Sequence, residues 1–85
     1  MNNIIMLKIT TNGSAQPLSA TKLIASVTIS CPPSNVYQAF LKVGTSGTEV
    51  PWVPGEWHEF KSIDLNMVYV RGFSPDVITV IGGTW

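Results

Sequence analysis

The stretch Leu23-Ile24-Ala25-Ser26-Val27-Thr28-Ile29-Ser30 decides the fold. Leu23, Ala25, Val27 and Ile29 fall on one side of an extended chain. Lys22, Ser26, Thr28 and Ser30 fall on the other, with Ile24 the exception among them. A period of two predicts a strand with one face in a core and one face wet or against a partner. Val, Ile and Thr supply 25 of the 85 residues. These β-branched side chains lose rotamer freedom in helices and pack well on a pleated surface.

The same pattern extends in both directions from that strand. Ile5–Thr10 opens the chain and stops at the turn signal Asn12-Gly13. Tyr37–Val43 groups Ala39, Leu41 and Val43 and ends at Gly44-Thr45-Ser46-Gly47. Glu49–Val53 contains Pro51, which confines it to a sheet edge. Trp57–Lys61 follows, and then Met67–Arg71 and Val77–Ile81 read as a closing pair around the loop Gly72–Asp76. Residues 56–71 lack Gly and Pro, but their helical periodicity is poor, which leaves one turn near Ile63–Asn66. The expected fold is all-β: a small single-domain antiparallel β-sandwich or barrel of about six to eight short strands. The domain spans residues 1–85, with 1–3 and 82–85 expected as flexible ends.

Five Lys/Arg balance five Asp/Glu, and only 12% of residues are charged. Nucleic-acid binders and polybasic membrane-surface proteins need an excess of cations, so neither partner is expected. A hydrophobic share of 45% with so little charge favours collapse over disorder. The apolar run Ile4–Leu7 is too short for a signal-peptide core and meets Lys8 at once. Synthesis and folding in a cytoplasm are expected. One Cys and one His give neither an internal disulfide nor a Cys/His zinc site.

No catalytic, cofactor-binding or metal-binding residues are expected. In a strand, His58 shares a side with Glu56 and not with Glu59, and it reads as an exposed polar residue on an edge strand. Cys31, before Pro32-Pro33, reads as a small buried residue. The acidic residues Glu49, Glu56, Glu59, Asp64 and Asp76 are dispersed. Gly44–Gly47 lacks the Lys and the helix of a phosphate loop.

The aromatics say more. Trp52 and Trp57 flank Val53-Pro54-Gly55-Glu56, where Pro54-Gly55 suits the centre of a type II turn fixing a hairpin register. The two tryptophans could stack on sugar rings or anchor an interface. Trp85 calls for cover from its own domain or a neighbour. With Tyr69 and Phe73 they make the candidate interface set: Trp52, Trp57, Tyr69, Phe73 and Trp85.

The second half carries an ordered series: Leu41-Lys42-Val43-Gly44-Thr45, Val53-Pro54-Gly55-Glu56, Ile63-Asp64-Leu65, Met67-Val68-Tyr69-Val70-Arg71-Gly72 and Asp76-Val77-Ile78-Thr79-Val80. It resembles small virion structural proteins of tailed bacteriophages over roughly residues 20–81. Pro75-Asp76 stands where that pattern has Gly-Asp, and the Cys31-Pro32-Pro33 insert departs from it too. The resemblance implies capsid decoration (cementing) or a head-fibre or spike base, located in the virion, with no catalytic residues. The implied partner is the major capsid protein or another virion protein.

Composition points the same way, since a neutral, Ser/Thr-rich β-domain suits dense packing among identical neighbours. A core this small supplies ~3–5 kcal/mol alone, so homo-oligomerisation is expected. Two other classes remain open: a glycan-binding adhesin module using Trp52, Trp57 and Tyr69, and a small inhibitor of a host protein.

Overall fold

A computed structural model of the chain describes residues 4–84. Eight strands follow in order: β1 (Ile4–Thr10), β2 (Gln16–Pro17), β3 (Ile24–Ser30), β4 (Ala39–Val43), β5 (Val50–Trp52), β6 (Trp57–Asp64), β7 (Val68–Arg71) and β8 (Val77–Gly83). A 3₁₀ turn, Leu65–Met67, links β6 to β7. It starts where the Asp64 carboxylate accepts from the Asn66 N–H at 3.0 Å. No helix among the described residues is long and apolar enough to cross a membrane.

The strand pairs follow one rule. β1 pairs with β8, β2 with β7, β3 with β6 and β4 with β5, all antiparallel. The chain is thus a long ribbon doubled back between β4 and β5. Rolling that ribbon adds the pairs β3–β8 and β4–β7. Two four-stranded sheets result, β1-β8-β3-β6 and β2-β7-β4-β5, which is the topology of a jelly roll. The β-sandwich alternative of the sequence reading is the one that forms.

Period-two alternation then builds the core. Ala25, Val27 and Ile29 of β3 are buried, as are Ile78 and Val80 of β8 and Ile5 of β1. Ala39, Leu41, Trp52, Val70 and Leu65 cover them from the other sheet and the 3₁₀ turn. Central positions for β3 and β8, and an edge position for β5, agree with the sequence reading.

Four expectations are corrected. β7 and β8 are not a closing pair, because the roll sends them to different sheets. The Pro54-Gly55 turn forms, with the Glu56 N–H donating to the Val53 carbonyl at 3.0 Å, but it makes no hairpin. It carries the chain from β5 in one sheet to β6 in the other, and Cys31 holds it there through Gly55 N–H to Cys31 C=O at 2.7 Å. Gly82 and Gly83 are no loose end, since they pair with Ile5 and Ile4 on one side and with Val27 and Ser26 on the other. Tyr37 and Gln38 precede β4 rather than belonging to it.

β6 contains a bulge. Lys61 and Ser62 together oppose Ser26, so the register slips between Ala25–Ile63 and Val27–Phe60. Ser62 takes φ 53° there, and its N–H donates to Ser26 Oγ at 3.1 Å. Across β3, a Cβ on Gly82 would overlap the Ser26 carbonyl, so only glycine lets β8 approach at this point.

Candidate functional site

Strand registers place two rows of side chains across the outer face of the first sheet. One row runs Lys8, Thr79, Ser30, Trp57, and the next Met6, Ile81, Thr28, Glu59. Ile4 lies beyond Met6 on the same strand face. Charges therefore sit on the two edge strands only, and β8 and β3 offer Ser, Thr and Ile. The Ser30 and Thr79 hydroxyls bond to each other, which lowers their demand for water. Ile4 is 74% exposed, Met6 73% and Ile81 56%. Gly82 and Ser26 leave a shallow depression of about 500 Å³ beside Ile81, Thr28, Glu59 and Lys61. An apolar, charge-poor strip of this kind suits contact with another surface.

The opposite outer face differs. Arg71 makes a two-point contact with Glu49, Nε to Oε2 at 2.7 Å and Nη2 to Oε1 at 3.0 Å. Its guanidinium lies 4.5 Å over the Phe40 ring. The hydrogen bond with Arg71 holds the Glu49 carboxyl below its ordinary range, and the Glu49 carboxylate raises Arg71 in turn. The Arg71 and Glu49 charges there are already paired.

A second concavity opens between the sheets. Phe60, His58 and Ile63 line it from β6, and Leu41, Val43, Val50, Trp52 and Val68 from the other sheet. Its volume is about 690 Å³, within the range of ligand-sized clefts. Trp52 closes one end, stacked on Phe60 at 6.4 Å and meeting His58 edge-on at 4.9 Å. At the other end Val43, Val50 and Met67 are exposed, although strand alternation points both valines towards the core.

No family model, curated protein or solved structure matches this chain. The geometry alone therefore bears on the site.

The aromatic candidates do not converge. Trp52 is only 6% exposed and belongs to the core, with its free edge on the cleft. Trp57 is 58% exposed and lies at the margin of the charge-poor outer face. One faces inward and the other outward, so they form no joint platform for a sugar. Tyr69 lies half-buried on the outer face of the second sheet, beside Lys42 and Pro17. Phe73, in the loop between β7 and β8, lies tilted against the Tyr37 ring with centroids 5.2 Å apart. Trp85 lies outside the described residues.

His58 sits on an edge strand, half exposed, with Nε2 2.7 Å from Glu56 Oε2. That bond, helped by the Val53 N–H, holds the Glu56 carboxyl below its ordinary range. Cys31 is fully buried, its sulfur 3.3 Å from Asn35 Nδ2. Among the described residues no three His, Cys, Asp or Glu side chains could together hold a metal ion.

Sequence reasoning passed over Ile4, Met6 and Ile81. The signal was present in Ile4-Ile5-Met6-Leu7, because four consecutive apolar residues in a strand must put two on each face. The cleft left no such signal, because Val43 and Val50 have the periodicity of ordinary core positions.

Proposed function

We propose that this chain is a non-enzymatic structural protein of a tailed-phage virion, a capsid decoration or cement protein that docks as an oligomer. The supporting observation is the outer face of the first sheet, where Ile4, Met6 and Ile81 stand exposed on a charge-poor surface whose charges lie only on its two edge strands. Buried apolar side chains dominate stable interfaces, and a strip with charges only at its margins keeps their desolvation cost low. Jelly rolls serve as capsid domains and as lectins, so the topology by itself assigns neither role.

The test is sedimentation of the purified protein, alone and with undecorated capsids assembled from a major capsid protein encoded beside it. Wild type should self-associate and co-sediment. Met6→Glu with Ile81→Lys, an opposite-charge cross-strand pair, should lose both while melting normally. A monomer that ignores capsids would refute the reading.

A second reading rests on Trp57. A tryptophan this exposed at the margin of a Ser/Thr-lined face could stack on a sugar ring, as in an adhesin module. Binding to a glycan array that Trp57→Ala abolishes and Met6→Glu spares would favour it.

A further inference from the structure

Two independent features meet along β6. The first is its backbone. β6 is an eight-residue strand at the end of its sheet and pairs only with β3. The N–H and C=O groups on its outer side have no backbone partner among the described residues. The second is the inter-sheet cleft beside it, where Phe60 and Ile63 face Val43 and Val50 across open space. The strand opposite, β5, is three residues long and too short to cover that length of β6.

From these features the geometry points to a binding site for an extended polypeptide segment, added as a further strand beside β6 with alternate side chains closing the cleft. Strand addition takes affinity from main-chain hydrogen bonds and specificity from pockets for every second side chain, and this edge offers both. A small molecule would fill the cleft and leave the backbone edge bare. A second copy's first edge strand could not fill it either, because the inward residues of β1, Ile5, Leu7 and Ile9, are already packed in their own core.

The edge also states the chemistry of the segment. Residues turned into the cleft are apolar, because most of its wall is, with His58 a polar exception facing it from the pairing stretch. Those on the outer face lie beside Glu59, which makes no ion pair among the described residues, so a cationic side chain fits there. The bulge at Lys61-Ser62 interrupts the edge, which leaves Trp57–Phe60 as the stretch available for pairing. This site shares Trp57 and Glu59 with the margin of the outer face proposed to meet the capsid, but its backbone edge and cleft do not depend on that role.

The experiment uses two blocked pentapeptides, Val-Lys-Val-Lys-Val and Val-Glu-Val-Glu-Val, titrated into the full chain and followed by amide NMR shifts and hydrogen exchange. The Lys peptide should bind about fivefold tighter or more, as expected when one opposite-charge pair with Glu59 replaces one like-charge pair, and should slow exchange in β6. Glu59→Lys should reverse the preference. Val43→Asn and Val50→Asn alter exposed cleft residues, so both should fold normally and bind the Lys peptide more weakly. Equal affinity for the two peptides, binding indifferent to both cleft variants, or shifts confined to other strands would overturn the inference. So would uptake of a neutral naphthyl dye by a protein that ignores both peptides at millimolar concentration, since the cleft would then be a small-molecule site.

Discussion

Asn35 and Val77 exchange two hydrogen bonds: Asn35 Nδ2 donates to the Val77 carbonyl at 2.7 Å, and the Val77 N–H donates to Asn35 Oδ1 at 3.0 Å. The side-chain amide thus does for the start of β8 what a neighbouring strand does for the rest of it. Next to it the Asp76 carboxylate accepts from the N–H groups of Val36 at 3.0 Å and Tyr37 at 2.8 Å. Together these bonds fasten the loop before β4 to the first residues of β8.

Asn35→Ala should cost about 1–3 kcal/mol, because it strands the part-buried N–H and carbonyl of Val77. Asn35→Asp keeps the shape but sets a carboxylate against the Val77 carbonyl. Protonation restores a donor, so the stability gap between Asn35→Asp and wild type should narrow as pH falls. Urea titrations at several pH values would check both outcomes, and a gap that widens towards acid would contradict the bonding described.

Gly55 takes φ +94°, and a Cβ there would meet nothing within 4 Å. Any cost of Gly55→Val is therefore conformational, about 1–2 kcal/mol. Gly55→Asn should recover part of it, since Asn tolerates positive φ better. Thermal melts of the two variants should rank them in that order.

Ser62 is the converse case, a non-glycine residue at φ 53° in the β6 bulge with its side chain exposed. Ser62→Gly should be neutral or stabilise by up to about 1 kcal/mol, as relief of backbone strain offsets the added entropy of the unfolded chain. Ser62→Val should lower the melting temperature. The reverse ranking would mean that the bulge is not strained.

Glu49 and Glu56 both titrate below the ordinary carboxylate value of 4.5, the first through its hydrogen bond with Arg71 and the second through that with His58. Their contribution is fully present above that value and is lost as pH falls through the folded-state values. Denaturation at about pH 7 and about pH 3 should show wild type losing more stability than Glu49→Gln with Glu56→Gln. Equal losses would mean the two carboxylates are not held by these partners.

Alternation made β3 and β8 legible in the sequence, because one buried face imposes its period on each. Pro54-Gly55 was legible for a different reason, since the backbone angles of a turn depend on the residues within it. Partnership was not. Met67–Arg71 and Val77–Ile81 lie close enough in sequence to suggest a hairpin, and only the rolling of the ribbon assigns them to different sheets. The tryptophans failed in a similar way. Trp52 and Trp57 look equivalent around their turn, yet the chain changes sheet between them, so one points to the core and one to solvent.

The doubled ribbon also governs when this chain can fold. Ile4 finds its partner in Gly83, and β8 is the only strand that joins β1 to β3. Until Val77–Gly83 has been synthesised, β1 has no neighbour and β3 has only β6. Most of the first sheet must therefore assemble after translation reaches its last strand, with loop closures spanning nearly the whole chain. Topologies dominated by such distant pairings fold in roughly milliseconds to seconds rather than microseconds. During that interval Ile4-Ile5-Met6-Leu7 is an unpaired apolar strand on a chain with no net charge to keep copies apart.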